Sequence, residues 1–118
     1  MAYEQFAYIY DELMKYAPYD KWTQFTTEVI KQYDLPVSTI VDLGCGTGEV
    51  SIRLAEKDFH VIGVDQSADM LTAASNKALE KNIDVQWIQQ DIRSLSGFSG
   101  IDVFIGYCDV NSWWFIHF

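Results

Sequence analysis

Positive charge is scarce in this chain. Of its 118 residues only 8 are Lys or Arg against 17 Asp or Glu, a net charge of −9. The few cations are scattered and form no stripe that could follow a phosphate backbone, so no nucleic-acid partner is expected. Cysteine is nearly absent. Cys45 and Cys108 make neither a disulfide framework nor a metal-ligand spacing and read as small buried thiols, and no metal is expected. Long apolar runs are missing too, since nothing approaches the about 20 residues that a membrane helix needs. At the start, Glu4, Asp11 and Glu12 stand where a signal peptide requires positive charge and then an uninterrupted apolar run. These absences together give the expectation of a cytoplasmic protein with no membrane partner. The two prolines, Pro18 and Pro36, each fall where the pattern breaks.

What is present is an ordinary globular balance, 49% apolar and 21% charged, in a chain long enough for one domain. Phe6, Tyr10, Leu13, Met14 and Ala17 recur at helical spacing until Pro18 stops them. Asp20 is the expected N-cap of a second helix, with Trp22, Phe25, Val29, Ile30 and Tyr33 as its apolar stripe. After Pro36 the period changes. STIVDLG (38–44) and HVIGVD (60–65) read as buried parallel strands, with a helix from Glu49 to Lys57 between them. Ser67 caps a further helix bearing Met70, Leu71, Ala74 and Ala78, and DVQWIQQD (84–91) and IDVFIGYC (101–108) supply two more strands. Repeated strand–helix alternation predicts an α/β fold, a Rossmann-like, doubly wound and mostly parallel sheet. Each strand–helix–strand unit takes about 30 residues, so the sheet reads as unfinished, its C-terminal half missing.

The stretch VDLGCGTGEV (41–50) carries the chemistry. Gly44, Gly46 and Gly48 close the first strand and open a helix, which lets a ligand approach the backbone closely. Asp65 ends the second strand, where a carboxylate can accept from ribose hydroxyls. A dinucleotide is the first candidate, but its G-x-G-x-x-G pattern needs glycine at position 49, which is Glu. With Asp42 that makes two carboxylates near a diphosphate, each pair costing a few kcal/mol at about 4 Å. A cationic nucleoside reverses the sign, and S-adenosylmethionine has a ribose, a sulfonium, an ammonium and no phosphate.

VDLGCGTG resembles the first motif of the class I S-adenosylmethionine-dependent methyltransferases. VIGVDQSADML and QQDIRSL are similar to that family's second and third, and FAYIYDELMKYAPYDKW to the aromatic N-terminal lid of small bacterial members. The resemblance implies a helical lid over residues 1–36 and a cofactor-binding core over 37–118. It implies that Gly44, Cys45, Gly46 and Gly48 form the cofactor turn, with Gly44 and Gly46 passing the methionine part and Asp42 orienting its ammonium. Asp65 would hold the ribose, and Gln66 and Met70 would flank the adenine. Asp91 would accept from the adenine amino group and Ile92 would pack on the ring. Cys108 would line the pocket near the methyl donor, and Tyr3, Phe6 and Tyr10 would cover it.

Methyl transfer asks the protein mainly to bring nucleophile and methyl together and to exclude water. No general base is visible, and YCDVNSW departs from the Asn/Asp-Pro-Pro-Tyr signature of amino-directed methylases. A small-molecule acceptor is the leading expectation. The alternatives are a nicotinamide-dependent oxidoreductase and an incomplete, non-catalytic cofactor-binding domain. The fourth strand is expected to be an exposed edge, with the aromatic tail Trp113–Phe118 beside it promoting self-association.

Overall fold

The computed structural model describes residues 7, 9, 11, 12, 15–109 and 112–117, with backbone alone for 107–109 and 112–117. Ala7, Ile9, Asp11 and Glu12 are helical. The regular elements are α1 (Tyr19–Gln32), β1 (Thr39–Leu43), α2 (Glu49–Ala55), β2 (His60–Asp65), α3 (Ala68–Glu80), β3 (Gln86–Gln89), a 3-10 turn (Ile92–Ser94), β4 (Val103–Asp109) and β5 (Ser112–His117). They build one five-stranded sheet in the order β3-β2-β1-β4-β5. The first four strands are mutually parallel, and β1 lies between β2 and β4 with Asp42 opposite both Gly63 and Ile105.

The alternation of side chains along β1 divides the core in two. Ile40 joins Val61, Val103 and Ile105 beneath α1 and α2, through Tyr19, Val50 and Leu54. Val41 and Leu43 face the other way, with Ile62 and Val64. That second face is closed by Leu95, Phe98 and Ile101, from the connection that carries the chain from β3 across to β4. The strand order therefore reverses beside β1, whose following segment leaves toward β2 while β4 arrives on the far side. Ligands of open α/β sheets bind at such a switch point.

Three expectations need correcting. Asp20 does not cap α1: Pro18 holds the cap position, and Asp20 sits in the first turn, where it accepts from Arg53 Nε at 2.8 Å. The buried face of α1 is also rotated from the predicted stripe. Tyr19, Thr23 and Thr26 are buried, whereas Phe25 and Tyr33 are exposed. The threonines tolerate burial because their hydroxyls donate to the Tyr19 and Trp22 carbonyls one turn earlier. Finally, β4 is not an edge. β5 runs antiparallel beside it from Val103↔His117 to Asp109↔Ser112. Six residues of strand span about 20 Å, enough to pair most of β4 and satisfy backbone groups that an edge would leave open. The lid residues Tyr3, Phe6 and Tyr10 lie outside the described residues, as does the side chain of Cys108.

Gly63 shows how tightly Trp87 of β3 and Cys45 of the glycine turn close on the middle of β2. A Cβ there would stand 2.5 Å from two ring atoms of Trp87 and 3.1 Å from Cys45 Sγ. Gly63→Ala should therefore destabilise the fold by about 1–3 kcal/mol through overpacking. Urea unfolding should show that loss, and Trp87→Leu in the same chain should recover part of it.

Candidate functional site

The carboxyl ends of β1, β2 and β3 are laced together by main-chain bonds. Cys45 N–H donates to the Val64 carbonyl at 2.9 Å, and Gln90 N–H to the Asp65 carbonyl at 3.1 Å. Above them the glycine turn runs through left-handed conformations, φ +69° at Gly44, +56° at Gly46 and +82° at Gly48. Such angles strain any residue with a Cβ. Asp65 locks the turn from the neighbouring strand: its Oδ2 accepts from Gly46 N–H and its Oδ1 from Ser67 N–H, both at 2.9 Å. Each carboxylate oxygen has two acceptor positions, so one on each oxygen remains for a ligand.

Asp65 lines a cleft of about 390 Å³ with Gly44, Gln66, Asp91, Ile92 and Arg93. A larger hollow of about 620 Å³ lies on the flank of α1 and α2, lined by residues such as Thr23, Thr27 and Arg53. It is remote from the strand ends, so the smaller cleft is the better candidate. The cleft's size falls within the usual range for small ligands, about 300–1,000 Å³. Ile92 offers an apolar side chain left 46% exposed, a surface on which a flat ring can pack. Asp91 is engaged by Arg93, whose Nε lies 3.0 Å from Oδ1 and whose Nη2 lies 2.5 Å from Oδ2. The guanidinium, helped by the Arg93 N–H, holds the Asp91 carboxyl down to about 2. Two carboxylates and one guanidinium leave the lining with a charge of −1, unsuited to a diphosphate.

The structure thus brings together Gly44, Asp65, Gln66, Asp91 and Ile92 from the predicted set. Others stand behind the turn. Met70 is buried in α3, its N–H donating to the Ser67 cap at 3.3 Å. Cys45 is buried, and desolvation, reinforced by Asp42 and Asp65, pushes its thiol well above the ordinary range, which leaves it unreactive. Asp42 is 3% exposed and accepts from Ser51 Oγ at 2.7 Å. Burial pushes its carboxyl up to about 7; the Ser51 hydrogen bond opposes the rise and the Asp65 charge adds to it. Gly48 serves packing, because a Cβ there would meet Trp87 at 2.6 Å and Ala74 at 2.8 Å.

Glu49 changes meaning as well. Burial alone would raise its carboxyl, but hydrogen bonds and charge from Lys77 and Arg53 outweigh this and hold it below the ordinary value. A carboxylate so balanced repels a phosphate less than its position in the sequence implies. The case against a dinucleotide rests instead on the cleft lining. Sequence reasoning missed Arg93, Ser51, Thr47 and Gly63. Of these only Gly63 gave a signal, as a glycine inside a strand. Among the described residues no group of three His, Cys, Asp or Glu could hold a metal ion, and no helix is long and apolar enough to cross a membrane.

Residues 40–114 match the methyltransferase domain family. The chain belongs to that family. It is 46% identical over 110 residues to a protein of Geobacillus sp. (strain WCH70) named as a methyltransferase, covering 92% of this chain and 44% of that one. It is 34% identical over 95 residues to the trans-aconitate 2-methyltransferase of Azoarcus sp. (strain BH72), covering 78% of this chain and 35% of that one. Among solved structures, an S-adenosylmethionine-dependent methyltransferase from Clostridium acetobutylicum superposes with a TM-score of 0.77 at 32% identity, over 92% of this chain and 45% of that one. The methyltransferase domain described here thus has the expected Rossmann-like fold and spans less than half the length of the relatives it matches.

The burial of Asp42 has a consequence for stability. Its carboxyl titrates near 3.8 when exposed and at about 7 in the fold, so the folded chain binds the extra proton between those values. Stability contributed at this site is therefore present below pH 4 and lost as pH rises to 7, by up to about 4 kcal/mol. Asp42→Asn should flatten that part of the curve when unfolding free energies of the two chains are compared from pH 4 to 8.

Proposed function

We propose that this chain binds S-adenosylmethionine in the cleft at the ends of β1, β2 and β3, and serves a methyltransferase acting on a small-molecule acceptor. The observation that carries the reading is Asp65, which lines a cleft free of net positive charge and accepts one N–H on each oxygen, leaving acceptor capacity on both. A vicinal diol donates two hydrogen bonds at that spacing. In this reading Gln66 and Ile92 flank the adenine, Asp91 accepts its amino group once Arg93 gives way, and Gly44 and Gly46 let the methionine part lie against the backbone. Arg93 is 85% exposed in its side chain and can move aside at small cost. Asp42, buried behind the turn, acts on the ammonium through the field rather than by direct contact.

When bound, the cofactor supplies a methyl group on a sulfonium that leaves readily, so the residues need to bind, orient and exclude water. Residues 1–36 form the cover in this proposal, and 37–118 the binding core. A small acceptor is supported by the trans-aconitate named for one relative. A nucleic-acid acceptor is disfavoured by the chain's net negative charge. The proposal includes a cytoplasmic location. Self-association would run along the outer edge of β5, and light scattering at micromolar concentration should then show species larger than a monomer.

Calorimetric titration with S-adenosylmethionine, S-adenosylhomocysteine and NADH tests the assignment. The first two should bind and NADH should not. A carboxylate taking ribose hydroxyls contributes about 1.5–3 kcal/mol, so Asp65→Ala should weaken S-adenosylmethionine roughly 10- to 100-fold. Unchanged affinity in that variant would remove Asp65 from the site, and tight NADH binding would favour the oxidoreductase reading.

A further inference from the structure

The glycine turn is held from outside the sheet as well as from within it. Thr47, between Gly46 and Gly48, is 2% exposed, and its hydroxyl donates to Asp11 Oδ1 at 2.5 Å from a residue 36 positions earlier in the chain. Lys77 of α3 donates to the same oxygen at 3.2 Å and to Glu49 Oε2 at 2.5 Å. Arg53 takes the other oxygen of Glu49 at 2.6 Å and continues to Asp20 at 2.8 Å. The result is an alternating chain of charge, Asp11–Lys77–Glu49–Arg53–Asp20, that joins the N-terminal helical residues, α3, α2 and α1. The side chains of Lys77, Glu49 and Arg53 are only 23–28% exposed, so solvent and salt screen their contacts less than those of a surface pair.

We propose that Asp11 is a positioning residue for cofactor binding: through Thr47 it fixes the glycine turn, and through the same bond it couples docking of the N-terminal helical residues to occupancy of the cleft. The proposal rests on the S-adenosylmethionine reading above. Three left-handed glycines make the turn adaptable, and adaptable backbone loses entropy when a ligand orders it. A hydroxyl tethered between two of those glycines removes part of that freedom beforehand. Thr47 is also adjacent to Gly46, whose N–H holds Asp65 in place. Asp11, Thr47, Gly46 and Asp65 thus form one continuous path from the N-terminal residues to the cleft. Beside that path Ala7, 3% exposed, and Asp11 rest over α3 around a hollow of about 400 Å³. Coupling between docking and binding is reciprocal: if the docked segment favours the ligand, the ligand favours docking.

The test uses the full chain with S-adenosylhomocysteine as ligand and trypsin as probe of the exposed Lys15. Thr47→Val keeps the side-chain shape and removes the donor, Thr47→Ser keeps the donor, and Asp11→Ala and Asp11→Asn alter the acceptor. Thr47→Val should weaken binding about 5- to 20-fold and Asp11→Ala at least as much, since it also removes the Lys77 contact; the double variant should lose no more than Asp11→Ala alone, because Thr47 acts through Asp11. Thr47→Ser should stay within about twofold of the parent and Asp11→Asn should fall between. Without ligand, cleavage after Lys15 should quicken in Thr47→Val and Asp11→Ala while cleavage after Lys57 and Lys81 does not. The ligand should slow cleavage after Lys15 in the parent and in Thr47→Ser. Parent-like affinity in Thr47→Val, losses that multiply in the double variant, or equal acceleration at all three lysines would overturn the proposal. A parent chain that fails to bind S-adenosylhomocysteine would instead overturn the proposed function, and the coupling with it.

Discussion

Much of this structure depends on one carboxylate. Asp65 ends β2, yet its oxygens are spent on two N–H groups of other segments, Gly46 in the turn after β1 and Ser67 at the head of α3. A hydrogen bond to a charged acceptor is shorter and about twice as strong as a neutral one, so a single side chain fixes both the turn and the start of the helix. It acts there beside the main-chain bonds of Cys45 and Gly48 and the Thr47 hydroxyl's bond to Asp11. The same carboxylate also lines the cleft. In the proposed reading, ligand recognition and local folding share this one group.

Electrostatics around the turn are quieter than a count of acidic residues implies. Burial pushes the Asp42 carboxyl up to about 7, and Glu49 is balanced by two cations. Neither presents a bare charge to the cleft. What discriminates there is the lining itself, two carboxylates and a guanidinium tied to one of them. The case against a diphosphate therefore rests on the residues that line the cleft rather than on those flanking the motif.

The sequence made the order of elements legible, because parallel strands buried on both faces leave nearly continuous apolar runs such as STIVDLG and HVIGVD. The turn and Asp65 were legible because glycine spacing and a carboxylate at a strand end are local features. Two things were not. The face of α1 was misread because Thr23 and Thr26 look polar, yet both are buried with their hydroxyls satisfied by carbonyls one turn back. The pairing of β5 on β4 is not legible, because the backbone groups it satisfies belong to a strand whose own sequence gives no sign of them. Arg93 and Thr47 were invisible for a related reason, since their partners in the fold are set by loop geometry and by a residue 36 positions away.

The three glycines of the turn also divide their labour in a way that spacing alone conceals. At Gly44 the nearest atom to an added Cβ is Ile92 Cδ1, 3.9 Å away, so the space in front of it is open toward the cleft. At Gly48 the same atom would collide with Trp87 and Ala74. Trp87 is also the ring that forbids a side chain at Gly63, so one indole on β3 requires glycine both in the turn and in the middle of β2. The third glycine therefore belongs to the packing of Trp87 and α3 against the turn, and the first lines the cleft. Glycine spaced at alternate positions is the joint product of two constraints, a backbone that must be approached from the cleft and a tryptophan that must be accommodated from behind. Relief of the second by a smaller residue at position 87 would leave the first untouched.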